Sequence, residues 1–226
     1  MKIWVTAATA FEIQIAKETL QKNKHHKNIT ALHFATTGVG MLLSAVQLTK
    51  LVLTEHPDCI IQAGIAGTFH QHLKPASVVA VKKEMLGDTG VMEQQNWKDI
   101  FDLGLQSKNT KPFENGSITN HYLEQWNITA LPEVSGISVN EISTNPQRIV
   151  QLNSKYAPDI ETMEGVALHF VAGIFNIPYI QVRAISNVVG ERDKQKWAME
   201  KALQALNKAI IQYVEILNEI NFESKN

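Results

Sequence analysis

Cysteine is almost absent from this sequence: Cys59 is the only one in 226 residues. No disulfide can close within the chain, and nothing in its cysteine usage points to an oxidising compartment. Long apolar runs are missing too. The longest, Val166 to Phe175, is interrupted by His169 and falls well short of the ~20 residues a membrane span needs. No sign of charge dominates, with 21 Lys and Arg against 22 Asp and Glu. A nucleic-acid partner would call for a basic face to meet its phosphates. Met1-Lys2 runs straight into Ile3-Trp4-Val5, which is too short and too quickly polar for a signal peptide. The expectation is a cytoplasmic protein with neither a nucleic-acid nor a membrane partner.

Several chemical motifs are also missing. There are eight histidines, but no His-Glu-x-x-His and no Cys/His array of the kind that holds a metal. His70 and His72, beside Gln71 and Lys74, fit an exposed turn, and His25-His26-Lys27 fits a solvated loop. Gly38-Val39-Gly40 is a fragment of a dinucleotide fingerprint. It lacks the third glycine and the downstream acid that would hold a ribose. No Gly-x-Ser-x-Gly elbow occurs. Neither a metal nor a cofactor is expected.

What remains is an ordinary globular composition, 44% hydrophobic and 19% charged, long enough to bury a core as one domain over residues 1–226. Short apolar runs at Ile3–Ala8, Ile29–Thr36, Cys59–Ala63, Val78–Val81, Val134–Val139 and Pro178–Ser186 read as strands. The Cys59 run ends in Gly64-Ile65-Ala66-Gly67. Helical spacing links Phe11, Ile15, Ala16 and Leu20. A second helix opens after Gly40 with Leu42, Leu43, Val46, Leu51 and Val52 on its apolar side. The clearest helix closes the chain through Leu203, Leu206, Ile210, Tyr213, Leu217 and Ile220. Gln94 to Pro132 carries turn signals and reads as loops, with one short helix near Tyr122–Trp126. Strands alternating with helices indicate an α/β sheet covered on both faces.

Three places concentrate polar groups at element ends. Glu12 follows the first strand, where an acid can simply offset the helix dipole. Asp159-Ile160-Glu161-Thr162-Met163-Glu164-Gly165 crowds acids where a short strand meets a helix, with Thr162 placed to cap it. Strand ends of this kind also present ligand groups. Val182-Arg183-Ala184-Ile185-Ser186-Asn187 is a strand that releases Ser186 and Asn187 at its carboxyl end, read otherwise as a strand and its polar turn.

Together these residues resemble the nucleoside phosphorylase and nucleosidase superfamily. The likeness spans nearly the whole chain. It includes Glu12, Thr37-Gly38-Val39-Gly40, Gln62 through Gly67, the Met163-Glu164 pair and Arg183 through Asn187. The last two motifs are the specific ones. The resemblance implies a single-domain three-layer α/β/α fold, a mixed central sheet flanked by helices, and a homodimer that takes a small-molecule purine nucleoside. Cleaving the C1′–N9 bond builds positive charge on the ribose and negative charge on the base. By the family pattern Glu164 accepts from the ribose hydroxyls and Met163 packs on the sugar. Glu12 holds and deprotonates the attacking water. The backbone at Ala66 and Gly67 lines the water side, Val39 joins the substrate-binding set, and Ser186 positions Asn187 against the purine.

Two departures narrow the expectation. Gln62 stands where phosphorylases carry arginine, and Thr36–Gly40 has no Arg or Lys, so phosphate lacks charged partners and water becomes the nucleophile. Asn187 stands where adenine-cleaving nucleosidases carry Asp. An amide can donate to the O6 or N7 of hypoxanthine. With Val188 through Asp193, this looks like the futalosine hydrolases, whose substrate carries a benzoate on the 5′ side. Arg192 and Trp197 are the candidates to meet its carboxylate and ring. An adenine-releasing nucleosidase and a non-catalytic nucleoside-binding protein stand as alternatives.

Overall fold

The computed structural model describes residues 1–22 and 28–220; His25-His26-Lys27 lies outside them. The first half runs β1 (Lys2–Ala7), α1 (Ala10–Lys22), β2 (Ala31–Thr36), α2 (Met41–Glu55), β3 (Cys59–Thr68) and β4 (Val78–Leu86). A hairpin follows, β5 (Gly90–Glu93) and β6 (Asn96–Asp99), then β7 (Ser117–Thr119) and α3 (Leu123–Trp126). The second half runs β8 (Glu133–Ser138), α4 (Pro146–Tyr156), β9 (Ile160–Thr162), α5 (Gly165–Phe175), β10 (Tyr179–Val188) and α6 (Met199–Glu219).

The sheet is mixed, in the order β10-β4-β8-β9-β3-β1-β2, with β7 on β4. β3 also pairs with β10, so five strands close on themselves. The inside of this ring is apolar at Ala66, Val79, Val81, Val134, Ile160 and Ile185. α1 and α6 pack on one side of the sheet, and α2 and α5 on the other. The three-layer expectation holds. The stripe on α6 is core: Leu206, Ile210, Tyr213 and Leu217 are almost completely buried.

Three local expectations are corrected and one element is new. β3 does not stop at Ala63 but continues through the glycines to Thr68. At Gly64 a Cβ would lie 1.9 Å from Arg183 Nη1, so the missing side chain is what lets Arg183 cross beneath the strand. Residues 94–132 are not all loop, since β6 and β7 lie there. α4 had no reading in the sequence; its amino end is capped by Asn145, whose Oδ1 accepts from the N–H groups of Gln147 and Arg148. On α2 the buried face is Ser44, Leu48, Leu51 and Val52, while Leu42, Leu43 and Val46 are exposed.

Candidate functional site

A cavity of about 220 Å³ opens at the carboxyl ends of β1, β3 and β10 and at the β9–α5 junction. This is where such sheets place ligands. Glu12, Val39, Ala66, Gly67, Met163, Glu164, Ser186, Asn187 and Trp197 all line it. Arg192 is not brought in. It is exposed, with its guanidinium 5.5 Å from the centre of the Trp197 ring, and the indole N–H of Trp197 is given to Glu191 O.

Glu12 sits at the third position of α1 and is almost fully buried. Its Oε2 accepts from the backbone N–H of Thr9 at 2.9 Å and from the Thr9 hydroxyl at 2.8 Å, one half of a capping box. Its Oε1 lies 3.4 Å from the N–H of Ile65. The dipole reading of Glu12 is therefore correct for one oxygen, and the other turns toward β3 and the cavity.

Glu164 caps α5 without capping it through its side chain. The free N–H groups of α5 are met from elsewhere: Gly165 donates to Thr162 Oγ1 at 3.3 Å and Val166 to Ser138 Oγ at 2.8 Å. Thr162 is therefore not the N-cap residue the sequence suggested; Glu164 holds that position, and Thr162 reaches the helix end only by accepting from Gly165. The Glu164 side chain is freed for the cavity. Its Oε1 accepts from the N–H of Gly40 at 2.9 Å, in the glycine turn before α2, where φ is +91° and a β-carbon would be strained. Its Oε2 lies 3.9 Å from Arg183 Nη1. Burial raises the Glu164 carboxyl above its ordinary range, with the Glu12 charge adding to it, while Arg183 and the Gly40 N–H pull it down.

Arg183 was quoted in its strand motif but given no role from the sequence. It is the largest fully buried side chain, donating from Nη2 to Gln62 Oε1 at 2.7 Å. An arginine inside a largely apolar strand was the available signal. Its charge offsets part of that on Glu164 from behind the cavity, whose lining among the described residues holds no Lys or Arg.

Ser186 and Asn187 both reach the cavity because β10 bulges between Ile185 and Asn187. Without the bulge, consecutive strand residues would point to opposite faces. Ser186 Oγ lies 2.7 Å from Asn187 Oδ1, and the Asn187 amide donates to Val188 O. Glu161 also lines the cavity, although sequence reasoning gave it no role. Its Oε1 accepts from the N–H of Ser143 at 3.0 Å. Burial raises its carboxyl above the ordinary range, with the Ser143 contacts opposing. Among the described residues no group of three or more His, Cys, Asp or Glu is placed to hold a metal ion. His70 and His72 instead stack ring on ring at 5.2 Å.

This arrangement of sheet and cavity is the nucleosidase fold. The futalosine hydrolase of Helicobacter pylori superimposes with a TM-score of 0.69 at 17% identity, over 96% of this chain and 95% of that one. In sequence the chain is similar to the futalosine hydrolase of Thermus thermophilus, 24% identical over 184 residues and 80% of each chain. It is also similar to the 5′-methylthioadenosine/S-adenosylhomocysteine nucleosidase of Maridesulfovibrio salexigens, 29% identical over 89% of this chain and 94% of that one. No protein-family model matches the chain.

Proposed function

We propose that the protein is a purine-nucleoside N-ribohydrolase whose substrate is futalosine, releasing hypoxanthine and dehypoxanthine futalosine within menaquinone synthesis. One observation carries the reading. Two buried carboxylates, Glu12 and Glu164, line a cavity that among the described residues has no Lys or Arg in its lining and that Asn187 also lines. Glu164 meets the ribose hydroxyls, and its charge offsets the oxocarbenium character that develops on the sugar. Met163 packs on the sugar face. Glu12, anchored through one oxygen by Thr9, uses the other to orient water and take its proton. The backbone of Ala66 and Gly67 borders that water. Asn187, with its oxygen satisfied by Ser186, donates from its NH₂ to the departing purine. Among the described residues the lining offers a phosphate nucleophile no Lys or Arg, and its carboxylates repel one, so water attacks.

The reading makes the protein a cytoplasmic homodimer. No helix among the described residues is long and apolar enough to cross a membrane. Phe11, Ile15, Val39, Leu42, Leu43 and Val46 leave an apolar face exposed on α1, the glycine turn and α2, beside the cavity mouth. Such a face is expected to be covered by a second copy.

A second reading, release of adenine, is favoured by the 29% identity to a methylthioadenosine/S-adenosylhomocysteine nucleosidase. Chromatographic identification of the base freed from futalosine and from methylthioadenosine separates the two. Hypoxanthine from futalosine is expected; adenine alone would establish the second reading.

A further inference from the structure

Glu84 is a completely buried carboxyl that the reaction does not use. It lies on β4 against the amino end of α5, and two glycines make room for it. A Cβ on Gly136, its partner in the sheet register, would come within 2.4 Å of Glu84 Oε1, and one on Gly165, the first residue of α5, within 1.9 Å. Glu84 Oε2 accepts from Ser138 Oγ, which in turn accepts from the Val166 N–H. Oε1 meets Gln181 Nε2 at 2.8 Å.

On the far side of Gln181 the donors and acceptors do not match. His169, on the second turn of α5, is completely buried. Burial pushes its ring down to about 3, against contacts with Ile118 O and Gln181, so the imidazole is neutral. Its Nδ1 lies 3.1 Å from Ile118 O. A carbonyl only accepts, so Nδ1 carries the single ring proton and Nε2 is a bare acceptor. Both His169 Nε2 and Gln181 Oε1 are buried without a partner among the described residues. Two such groups are costly to leave unpaired. Turning the Gln181 amide end for end supplies the missing donor, because its NH₂ then gives to His169 Nε2. The turn also brings the amide oxygen to Glu84 Oε1. Two acceptors meet there unless Glu84 carries a proton and donates it.

We infer that Glu84 is a proton-linked positioning residue: with its proton it donates to Gln181, the amide turns its NH₂ to His169, and α5 is tied behind the site at both Val166 and His169. Without the proton, Gln181 gives its NH₂ back to Glu84 and the tie at His169 is lost. Glu164 is the cap residue of this same helix, so the tie bears on how the ribose clamp is held. That consequence rests on the nucleosidase reading above, and the switch itself does not. The charged and titratable groups around Glu84 are Arg183 and Tyr179 on β10 and His169 on α5, with Glu164 at the cap of that helix. Ser138 and Thr162 face it from β8 and β9 without charge. Burial holds Tyr179 and His169 neutral.

The test follows the imidazole nitrogens of histidine-labelled protein by NMR across neutral pH, with the His169 signals assigned by their absence from His169→Phe. The expected result is a ring protonated on Nδ1 throughout, with an Nε2 resonance that shifts as pH rises through about 7. In Glu84→Gln, whose amide can donate to Gln181 at any pH, Nε2 should stay at the position the wild type shows at low pH. An Nε2 resonance that ignores pH in the wild type, or that shifts equally in Glu84→Gln, would overturn the inference. Activity supplies the second arm. The kcat of the wild type on futalosine is expected to fall relative to Glu84→Gln by roughly 2- to 10-fold over the same pH range, the worth of one hydrogen bond, with KM little changed. Equal pH profiles would overturn the positioning role. Wild-type protein that frees no base from futalosine would defeat the parent reading alone, because the NMR arm still decides the switch.

Discussion

Ser186 fixes the orientation of Asn187. Its Oγ lies 2.7 Å from Asn187 Oδ1 and 3.2 Å from Ala66 O, and the nearer acceptor is the amide oxygen. With that oxygen occupied, the NH₂ end is the one left to serve a ligand. One of its protons goes to Val188 O, and the other is free for a purine acceptor.

Asn187→Asp replaces that donor with an acceptor until the carboxyl is protonated. The ratio of kcat/KM for futalosine over its 6-amino analogue is expected to fall roughly 10- to 100-fold. The rest of the cavity still fits the original sugar, so a complete exchange of specificity is not expected. An unchanged ratio would remove Asn187 from base selection.

Glu12→Gln keeps an oxygen for Thr9, so the start of α1 should survive, but the proton acceptor is lost. Turnover is expected to fall at least ~10²-fold with the melting temperature little changed. Near-normal turnover would show that another group takes the proton from water.

Glu164→Gln removes a negative charge that matters most when the ribose turns cationic. Its effect should fall on kcat more than on KM. A rise in KM at constant kcat would reassign Glu164 to ground-state binding.

Leu42→Glu places a charge on the exposed apolar face of α2, where Leu42 is 75% exposed. Sedimentation at micromolar concentration should show dimers for the wild type and a shift toward monomer for the variant. An unshifted distribution would place the interface elsewhere.

Behind the site, Glu84 is completely buried. It accepts from Gln181 Nε2 at 2.8 Å and from Ser138 Oγ at 2.9 Å. Burial pushes its carboxyl up to about 7, against these hydrogen bonds and Arg183. Because the folded value is the higher one, the stabilisation from holding this proton is full below the unfolded value near 4.5. It is lost as pH rises through about 7. Ionised Glu84 therefore costs the fold about 3 kcal/mol in alkaline solution. Glu84→Gln should raise thermal stability relative to wild type at pH 8 and lose most of that advantage at pH 4.5. A pH-independent difference would show that Glu84 does not titrate in the fold.

The strands and α6 were legible because their apolar spacing matches the periods of their elements. α4 was not, because it buries Leu152 alone, leaving no apolar stripe to count. The extension of β3 through Gly67 was hidden by glycines that read as a turn. They are in fact the strand positions where Arg183 and Asn187 pass closest. On α2, composition showed an apolar surface but not which part of it a single copy buries. Glu12, Met163, Glu164, Ser186 and Asn187 were found because each stands at the end of an element, where a ligand can reach it. Arg183 and Glu161 stood inside the quoted motifs but were given no role, because what each side chain touches is set by burial in the folded sheet. Arg192 was included on its nearness in sequence to Asn187, and the turn after β10 carries it to the surface.

The most direct test of the central claim is single-time-course cleavage of futalosine by the wild-type protein, with and without inorganic phosphate, following both the base and the sugar product. The account expects hypoxanthine and a free reducing sugar at a rate that phosphate does not change. A phosphorylated sugar, or no hypoxanthine at all, would contradict it.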